Sequence, residues 1–263
     1  MGRLVDGIWH VSSVITSDSM GSYDRLPRTF LETISSSHSL YRPEANRYHL
    51  YVSYACPWAT RALIYRQLKG LAEYISVDVV HPDMGDDGWK FDDTFEGSSR
   101  DSLHGFKFLR QVYLEADPLA STSVTVPILW DKKTGSIVNN ESSQIIRIFN
   151  SAFNDLTGNT DDFYPSSLRR EIDDLNEKIY QTVNNGVYKT GFATNQESYD
   201  EAVTSLFDTL DELDQRLTNS KYLLGDEITE ADLRLIPTLL RFDVVYFTHF
   251  KCNWKRIVDY NNL

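Results

Sequence analysis

The sequence predicts a small α/β domain followed by an all-α domain. A strand-like run at 48–52, a helical run at 57–68 and a second strand-like run at 76–80 follow one another in the order of a βαβ unit. Further along the chain, apolar residues recur at helical spacing over 168–183 and 197–217. The first pattern indicates strands joined by a crossover helix, and the second indicates helices alone.

The predicted boundaries divide the chain into three parts. Residues 1–44 are rich in Ser, Arg and Pro and only weakly periodic, so we expect an extension that packs on a domain. Residues 45–155 are predicted to form the α/β domain and residues 165–263 the helical domain. The linker between them contains Gly158 and Pro165, which are typical of irregular structure.

The remaining elements follow from the same rules. Thr229 and Asp232 are spaced as a capping box, which predicts the start of a helix that continues through Leu240. In the α/β domain the patterns predict a helix at 106–116, strands at 124–130 and 136–139, and a helix at 141–150.

Charge and composition exclude several classes of function. The chain has 38 acidic and 26 basic residues, a net charge of −12, which argues against nucleic acid and against anionic membranes as partners. No apolar run is long enough to span a bilayer, and the amino terminus has no signal core. Two cysteines cannot form a disulfide framework, so we expect a reducing, cytoplasmic location. The six histidines show no metal-ligand spacing, and no metal is predicted.

Cys56 lies between the first predicted strand and the first predicted helix. Free N–H groups of a first helical turn and the helix dipole favour a thiolate at such a junction. Pro57 suits the first helical position, where its missing N–H is not needed. Position 59 is Ala, so Cys56 has no local disulfide partner and its natural partner is an external thiol. The alternative is a buried structural cysteine. For Cys252 we expect buried structural packing, and the alternative there is a second redox cysteine.

Several motifs resemble the glutathionyl-hydroquinone reductases, the Xi class of glutathione transferases, which is related to the Omega class. The resemblance covers nearly the whole chain and rests on the runs at 2–9, 48–59, 125–131, 137–143, 184–193, 241–246 and 249–252. Two departures stand out. Thr60 replaces a histidine that is usual in the family, and family members continue beyond Leu263 with a helical tail, so the carboxyl end is predicted to be truncated.

The resemblance implies a thioredoxin-like glutathione-binding domain followed by a helical glutathione-transferase domain. It also implies an activity: reduction of S-glutathionyl-hydroquinones to hydroquinones through a Cys56–glutathione mixed disulfide, which a second glutathione resolves. Glutathione is thus expected as co-substrate, glutathione adducts of quinones as substrates, and a homodimer as the assembly. The sequence does not specify the physiological quinone.

Family motifs assign glutathione contacts in the first domain. Val126 and a cis Pro127 are expected to clamp the cysteinyl backbone; the alternative is a trans proline in an edge strand. Glu141 and Ser142 are expected to hold the γ-glutamyl group, unless Ser142 is a plain helix cap.

Four further residues match the family with different strength. Trp89 is expected against the glutathione backbone and Arg110 at its glycyl carboxylate; the alternatives are loop packing and a solvated helix face. Tyr188 and Tyr246 are expected near the aromatic substrate, where a phenol helps to protonate the ring carbon, unless they merely pack in the helical domain.

Two rival functions stay open on the sequence alone. An Omega-like thioltransferase or dehydroascorbate reductase would share Cys56 and differ in its use of the tyrosines. A non-catalytic glutathione-transferase-like binding module would not depend on Cys56 at all.

Overall fold

In the computed structural model, which describes residues 2–11 and 15–263, the chain forms two compact units. The first contains the amino-terminal stretch and Leu26–Asp161, and the second contains Ile15–Arg25 and Asp162–Leu263. The predicted extension at 1–44 is therefore shared between the units. Its residues 1 and 12–14 lie outside the described part of the chain.

Strands and helices follow the predicted order. In chain order the elements are β1 (Arg3–Val5), β2 (Ile8–His10), β3 (Thr16–Ser17), β4 (Tyr23–Asp24), β5 (Tyr48–Val52), α1 (Pro57–Leu68), β6 (Ser76–Val79), α2 (Leu109–Ala116), β7 (Ile128–Asp131), β8 (Ser136–Asn139), α3 (Ser142–Ser151), α4 (Asn154–Thr157), α5 (Arg169–Ile179), α6 (Gly186–Phe192), α7 (Gln196–Leu217), α8 (Glu230–Arg241) and α9 (Phe247–His249). Two π-helical turns, Tyr180–Asn184 and Phe242–Tyr246, continue α5 and α8.

The first unit is built on a mixed four-stranded sheet in the order β6-β5-β7-β8. Strand β6 is parallel to β5, β7 is antiparallel to β5, and β8 is antiparallel to β7. All five residues of β5 are buried, as expected of a central strand. Helices α1 and α3 pack against each other. The predicted βαβ unit is thus formed, and a ββα unit follows it.

Strand β7 begins later than predicted. The sequence pattern predicts a strand from residue 124, but the strand begins at Ile128. Pro127 has no N–H to give to a ladder, and the Tyr113 hydroxyl bonds both the C=O and the N–H of Thr125. These backbone groups are therefore paired with a side chain rather than with a strand.

Helix α2 also begins later than predicted, at Leu109 instead of residue 106. The backbone N–H of Phe106 donates to Asp101, and the carbonyl of Lys107 accepts from Phe91. Both bonds hold this stretch in a loop conformation until Leu109, whose N–H donates to the carbonyl of Trp89.

The second unit contains the predicted helices around their own apolar core. The capping box at the start of α8 is present: the Asp232 carboxylate accepts from both the N–H and the hydroxyl of Thr229, at 2.9 and 3.0 Å. The core is formed mainly by aliphatic and aromatic residues of α5 to α8 and the adjoining turns. Within residues 2–11 and 15–263, no helix has the length and apolar character that a membrane crossing requires.

Candidate functional site

Cys56 is the N-cap residue of α1, at the junction that the sequence predicts. Its backbone is extended, with φ −104° and ψ 114°, and Pro57 occupies the first helical turn. The thiol is half-buried, and the Sγ atom lies 3.6 Å from the carbonyl oxygen of Val126. The reacting atom that we predicted is therefore accessible at the positive end of a helix and close to the Val126–Pro127 peptide.

The peptide bond between Val126 and Pro127 is cis, as the resemblance implies. A buried network supports the residues around it. The Tyr113 hydroxyl donates to the carbonyl of Thr125 at 2.9 Å and accepts from the Asn140 amide at 3.2 Å. Tyr113 and Asn140 are both buried. One phenol thus connects the Val126–Pro127 segment with the residue that precedes Glu141.

Glu141, and not Ser142, is the N-cap of α3. Its Oε1 atom accepts from the backbone N–H of Ser143 at 3.0 Å and from the Ser143 hydroxyl at 3.1 Å. The simple capping alternative for Ser142 is therefore wrong, because Ser142 is already the first helical residue. Its buried side chain and backbone N–H lie at the amino end of α3, where helices bind carboxylates.

Arg110, on α2, lies against Trp9, and Trp89 is a buried loop residue next to Gly88. The Arg110 guanidinium donates to the backbone carbonyl of Asp87 and forms an ion pair with its carboxylate at 2.8 Å. It also lies 5.2 Å from the ring centroid of Trp9. Gly88 has φ +76°, and a Cβ there would lie 3.0 Å from the Trp9 ring, so this approach requires glycine. Arg110 is thus already engaged with Asp87.

Tyr188 and Tyr246 come together in the second unit, although 58 residues separate them. Their hydroxyl oxygens are 3.2 Å apart, and their rings meet edge to face with centroids at 5.8 Å. Tyr246 is buried and ends the second π-helical turn, and Tyr188 is half-buried on α6. Phe250 contacts both rings. The two residues that the resemblance pairs by function are therefore paired in space.

Comparisons with known proteins identify the family. The family model for the glutathione S-transferase N-terminal domain matches residues 55–152, and the model for the C-terminal domain matches residues 196–263. The chain is 52% identical to the glutathionyl-hydroquinone reductase YqjG of Escherichia coli, over 100% of this chain and 82% of that protein. It belongs to the Xi class of glutathione transferases.

Other relatives of this Xi-class chain point the same way. The glutathionyl-hydroquinone reductase PcpF of Sphingobium chlorophenolicum is 51% identical, over 100% of this chain and 83% of that protein. The glutathione-bound structure of YqjG from Escherichia coli superposes with a TM-score of 0.91 at 50% identity, covering 99% of this chain and 81% of that one. The structure of the Xi transferase of Phanerochaete chrysosporium superposes with a TM-score of 0.91 at 50% identity, covering 94% of this chain and 80% of that one. The predicted family and the thioredoxin-like plus helical fold are confirmed.

Cys252 is the second cysteine of this Xi-class protein. It is fully buried, and burial raises the pKa of its thiol to about 12. Neither cysteine, both lying in the described residues, takes part in a disulfide. Within the same residues, no cluster of three or more His, Cys, Asp or Glu side chains has the arrangement of a metal site.

This contrast predicts selective labelling. Iodoacetamide at about pH 8 should modify Cys56 in the native protein and Cys252 only after unfolding, because the thiolate is the reacting form and Cys252 is inaccessible. Peptide mass spectrometry over a time course measures both sites. Labelling of Cys252 as fast as Cys56 under native conditions would contradict the buried position.

The Tyr113 network predicts an effect on substrate binding. Tyr113→Phe removes the hydroxyl that bonds Thr125 and Asn140, so the C=O and N–H of Thr125 and the buried amide of Asn140 lose a partner. We expect KM for glutathione substrates to rise about fivefold with a smaller change in kcat. The rate of Cys56 alkylation should be unchanged. Tyr222→Phe, in the helical unit, is the matched control, and equal KM values for the two variants would refute the positioning role.

The sequence patterns did not predict some residues of the candidate site. Tyr113 sits in a helical run, where a tyrosine is usually core, and nothing in the sequence connects it to Asn140. Tyr23 and Arg25 lie in the weakly periodic extension, yet they belong to the second unit and pack near Tyr188. Asn140 could have been predicted as a site residue, because it lies inside the run at 137–143 that matches the family.

Proposed function

We propose that this protein reduces S-glutathionyl-hydroquinones to hydroquinones through a mixed disulfide between Cys56 and glutathione. One observation carries the proposal: a half-buried thiol caps a helix 3.6 Å from the carbonyl of a cis X–Pro peptide, in a chain that is 52% identical to a reductase of that name. The glutathione of a relative's solved structure supports glutathione as the co-substrate.

The reaction balances with one free glutathione consumed for each adduct, and Cys56 is regenerated. The Cys56 thiolate attacks the sulfur of the adduct, an S–S bond forms, the ring C–S bond breaks, and its electron pair stays on the ring carbon, which takes a proton. The thiolate of a second glutathione then attacks the mixed disulfide, releases oxidised glutathione and restores Cys56. The ring carbon gains two electrons, and the two glutathione sulfurs, one from the adduct and one from the free thiol, lose one electron each as they form oxidised glutathione.

The remaining predicted residues supply binding and proton transfer in this proposal. Val126 and Pro127 hold the cysteinyl part of glutathione, Glu141 and Ser142 hold its γ-glutamyl group, and Trp89 lies along its backbone. Arg110 meets the glycyl carboxylate. Tyr188 and Tyr246 bind a ring oxygen and help to protonate the ring carbon.

The test is steady-state release of hydroquinone from a glutathionyl-hydroquinone in excess glutathione. Wild-type turnover of the aromatic adduct well above that of a small mixed disulfide or dehydroascorbate supports the proposal. The reverse preference supports the Omega-like thioltransferase alternative. The glutathione S-transferase omega-like 2 of Schizosaccharomyces pombe is 51% identical over 93% of this chain and 79% of that protein. Glutathione binding without any turnover would indicate a binding module.

The tyrosine pair predicts a substrate-dependent effect. Tyr246→Phe removes one of two hydroxyls that lie 3.2 Å apart. We expect turnover of the aromatic adduct to fall about 10²-fold, the usual size of a general-acid contribution, while reduction of a small mixed disulfide stays within about twofold. Equal losses on both substrates would assign Tyr246 to packing alone. Tyr222→Phe again serves as the matched control.

We also propose a cytoplasmic homodimer. The reducing compartment follows from the chemistry, because a thiolate nucleophile resolved by glutathione needs reduced glutathione. The homodimer rests on the family resemblance, and light scattering of the purified chain tests it.

A further inference from the structure

Asn139, the last residue of β8, has a fully buried side chain whose hydrogen bonds reach the amino-terminal extension and the first turn of α3. Its Oδ1 atom accepts from the backbone N–H of Glu141 at 2.8 Å. Its Nδ2 atom donates to the backbone carbonyl of Glu32 at 2.9 Å and to the Oε1 atom of Gln144 at 2.8 Å. These bonds fix the orientation of the amide, because turning it over would set donor against donor and acceptor against acceptor.

One of these bonds comes from the amino-terminal extension, 107 positions earlier in the chain. There, residues 30–32 run beside β8, which is an edge strand of the sheet. The N–H of Glu32 donates to the carbonyl of Val138, and the N–H of Asn140 donates to the carbonyl of Phe30, both at 3.0 Å. The segment thus covers the edge of the sheet, as a short further strand would. The buried amide then joins the last residue of this segment to the residue that begins α3.

The first turn of α3 depends on this amide for its direction. Glu141 is the N-cap and Ser142 the first helical residue, so the conformation of the turn decides where the N–H and hydroxyl of Ser142 point. In a capping box, the side chain of the third helical residue bonds the N–H of the N-cap. Here Gln144 is that third residue, and the amide of Asn139 lies between it and the N–H of Glu141. A side chain of β8 therefore holds both ends of the turn.

We propose that Asn139 is a positioning residue for the γ-glutamyl subsite and that, through it, residues 30–32 of the extension are a functional part of the glutathione site. This inference rests on the proposed function, in which Glu141 and Ser142 hold the γ-glutamyl group. Because Asn139 is fully buried, it acts through Glu141 and not on the ligand directly. Loss of its amide leaves the N–H of Glu141 without its partner and loosens the turn. Binding of the γ-glutamyl group is then weaker, while the thiol of Cys56 reacts as before.

The experiment isolates the γ-glutamyl group by omitting it from the donor. Reduced wild type and reduced Asn139→Ala each react with a mixed disulfide of 2-mercaptoethanol and either glutathione or cysteinylglycine, which is glutathione without that group. The Cys56 thiolate attacks the sulfur of the peptide, a new S–S bond forms, and 2-mercaptoethanol leaves as its thiolate. Acid quenching and mass spectrometry give the rate at which Cys56 gains each peptide. Asn176→Ala is the matched control, because it removes a buried amide from the second unit.

We expect the wild type to take up glutathione at least about tenfold faster than cysteinylglycine. In Asn139→Ala this preference should fall to about threefold or less, because the γ-glutamyl contacts are no longer held in place. The rate with cysteinylglycine should stay within about twofold of the wild-type rate. Asn176→Ala should keep the full preference.

Two other results would count against the inference. Equal losses on both donors in Asn139→Ala, or no loss, would overturn the role of Asn139 and leave the proposed function standing. A wild type without any preference would show that Glu141 and Ser142 do not bind a γ-glutamyl group, and this inference would fall with that part of the proposed function. Hydroquinone release tests the reductase activity separately.

A second measurement needs no variant. Hydrogen–deuterium exchange compares the wild type that carries glutathione on Cys56 with the wild type that carries cysteinylglycine there. We expect glutathione alone to slow exchange both in the peptide with residues 139–143 and in the peptide with residues 30–32, because the buried amide couples the two segments. Slower exchange at 139–143 without any change at 30–32, or no change in either, would overturn the proposal even if Asn139→Ala does not fold.

Discussion

Replacing Cys56 by serine is expected to lower hydroquinone release at least about a thousandfold, because a serine hydroxyl cannot form the mixed disulfide. The decisive version is a single turnover. With one equivalent of adduct and no free glutathione, the wild type should release one equivalent of hydroquinone and gain the mass of one glutathionyl group on Cys56. The Cys56→Ser variant should do neither.

Cys252→Ala is the control for this experiment. Its thiol is fully buried, and burial raises its pKa to about 12, so we expect the variant to keep the full single-turnover release. A wild type that releases hydroquinone without gaining the glutathionyl mass would exclude the mixed-disulfide route. Loss of release in Cys252→Ala, with the fold intact, would mean that the reaction uses both thiols.

The largest expected loss of stability comes from the ion pair between Arg47 and Asp131. The Nε and Nη2 atoms of Arg47 donate to the two carboxylate oxygens at 2.8 and 2.6 Å, and the side chains are only 4% and 0% exposed. Arg47→Met leaves a buried carboxylate without its cation, a change that costs about 3 kcal/mol of unfolding free energy. Urea unfolding followed by circular dichroism measures it.

Lys133→Met is the matched control, because it removes an exposed ion pair. The side chain of Lys133 is 63% exposed and that of its partner Glu44 is 42% exposed. Exposed pairs contribute little, so this variant should lose less than about 1 kcal/mol. Equal destabilisation by the two substitutions would show that Asp131 is stable without Arg47. In that case the hydrogen bonds from the Lys133 backbone and the Thr134 hydroxyl to Asp131 are sufficient.

The same pair predicts a pH dependence. Burial favours the protonated form of Asp131, but the hydrogen bonds from Arg47 and its neighbours outweigh burial, and the pKa of Asp131 is lowered. A carboxylate with a lowered pKa contributes stability above its unfolded pKa, and that contribution disappears as the pH falls through the folded value. The stability difference between wild type and Arg47→Met should therefore be constant near neutral pH and shrink below about pH 4.

Local signals were sufficient to predict the elements that carry the nucleophile. The strand at 48–52, the helix at 57–68 and the cysteine between them follow from side-chain pattern and from Pro57, and the structure has the same limits. The capping box at Thr229 is equally local, because its bonds join residues three positions apart. The strand-like pattern at 124–127 was misleading, because the backbone of Thr125 bonds the Tyr113 side chain of α2 and not a neighbouring strand.

By itself the sequence determined the order of the elements, the family and the position of the reactive thiol, because each of these depends on short runs of contiguous residues. Only the tertiary structure decided which distant side chains meet. Tyr113 reaches Thr125 and Asn140, Arg47 pairs with Asp131 across 84 positions, and Arg25 stacks on Tyr188. Such contacts depend on how elements pack rather than on spacing along the chain. A single tyrosine or arginine has no periodicity that reveals its partner.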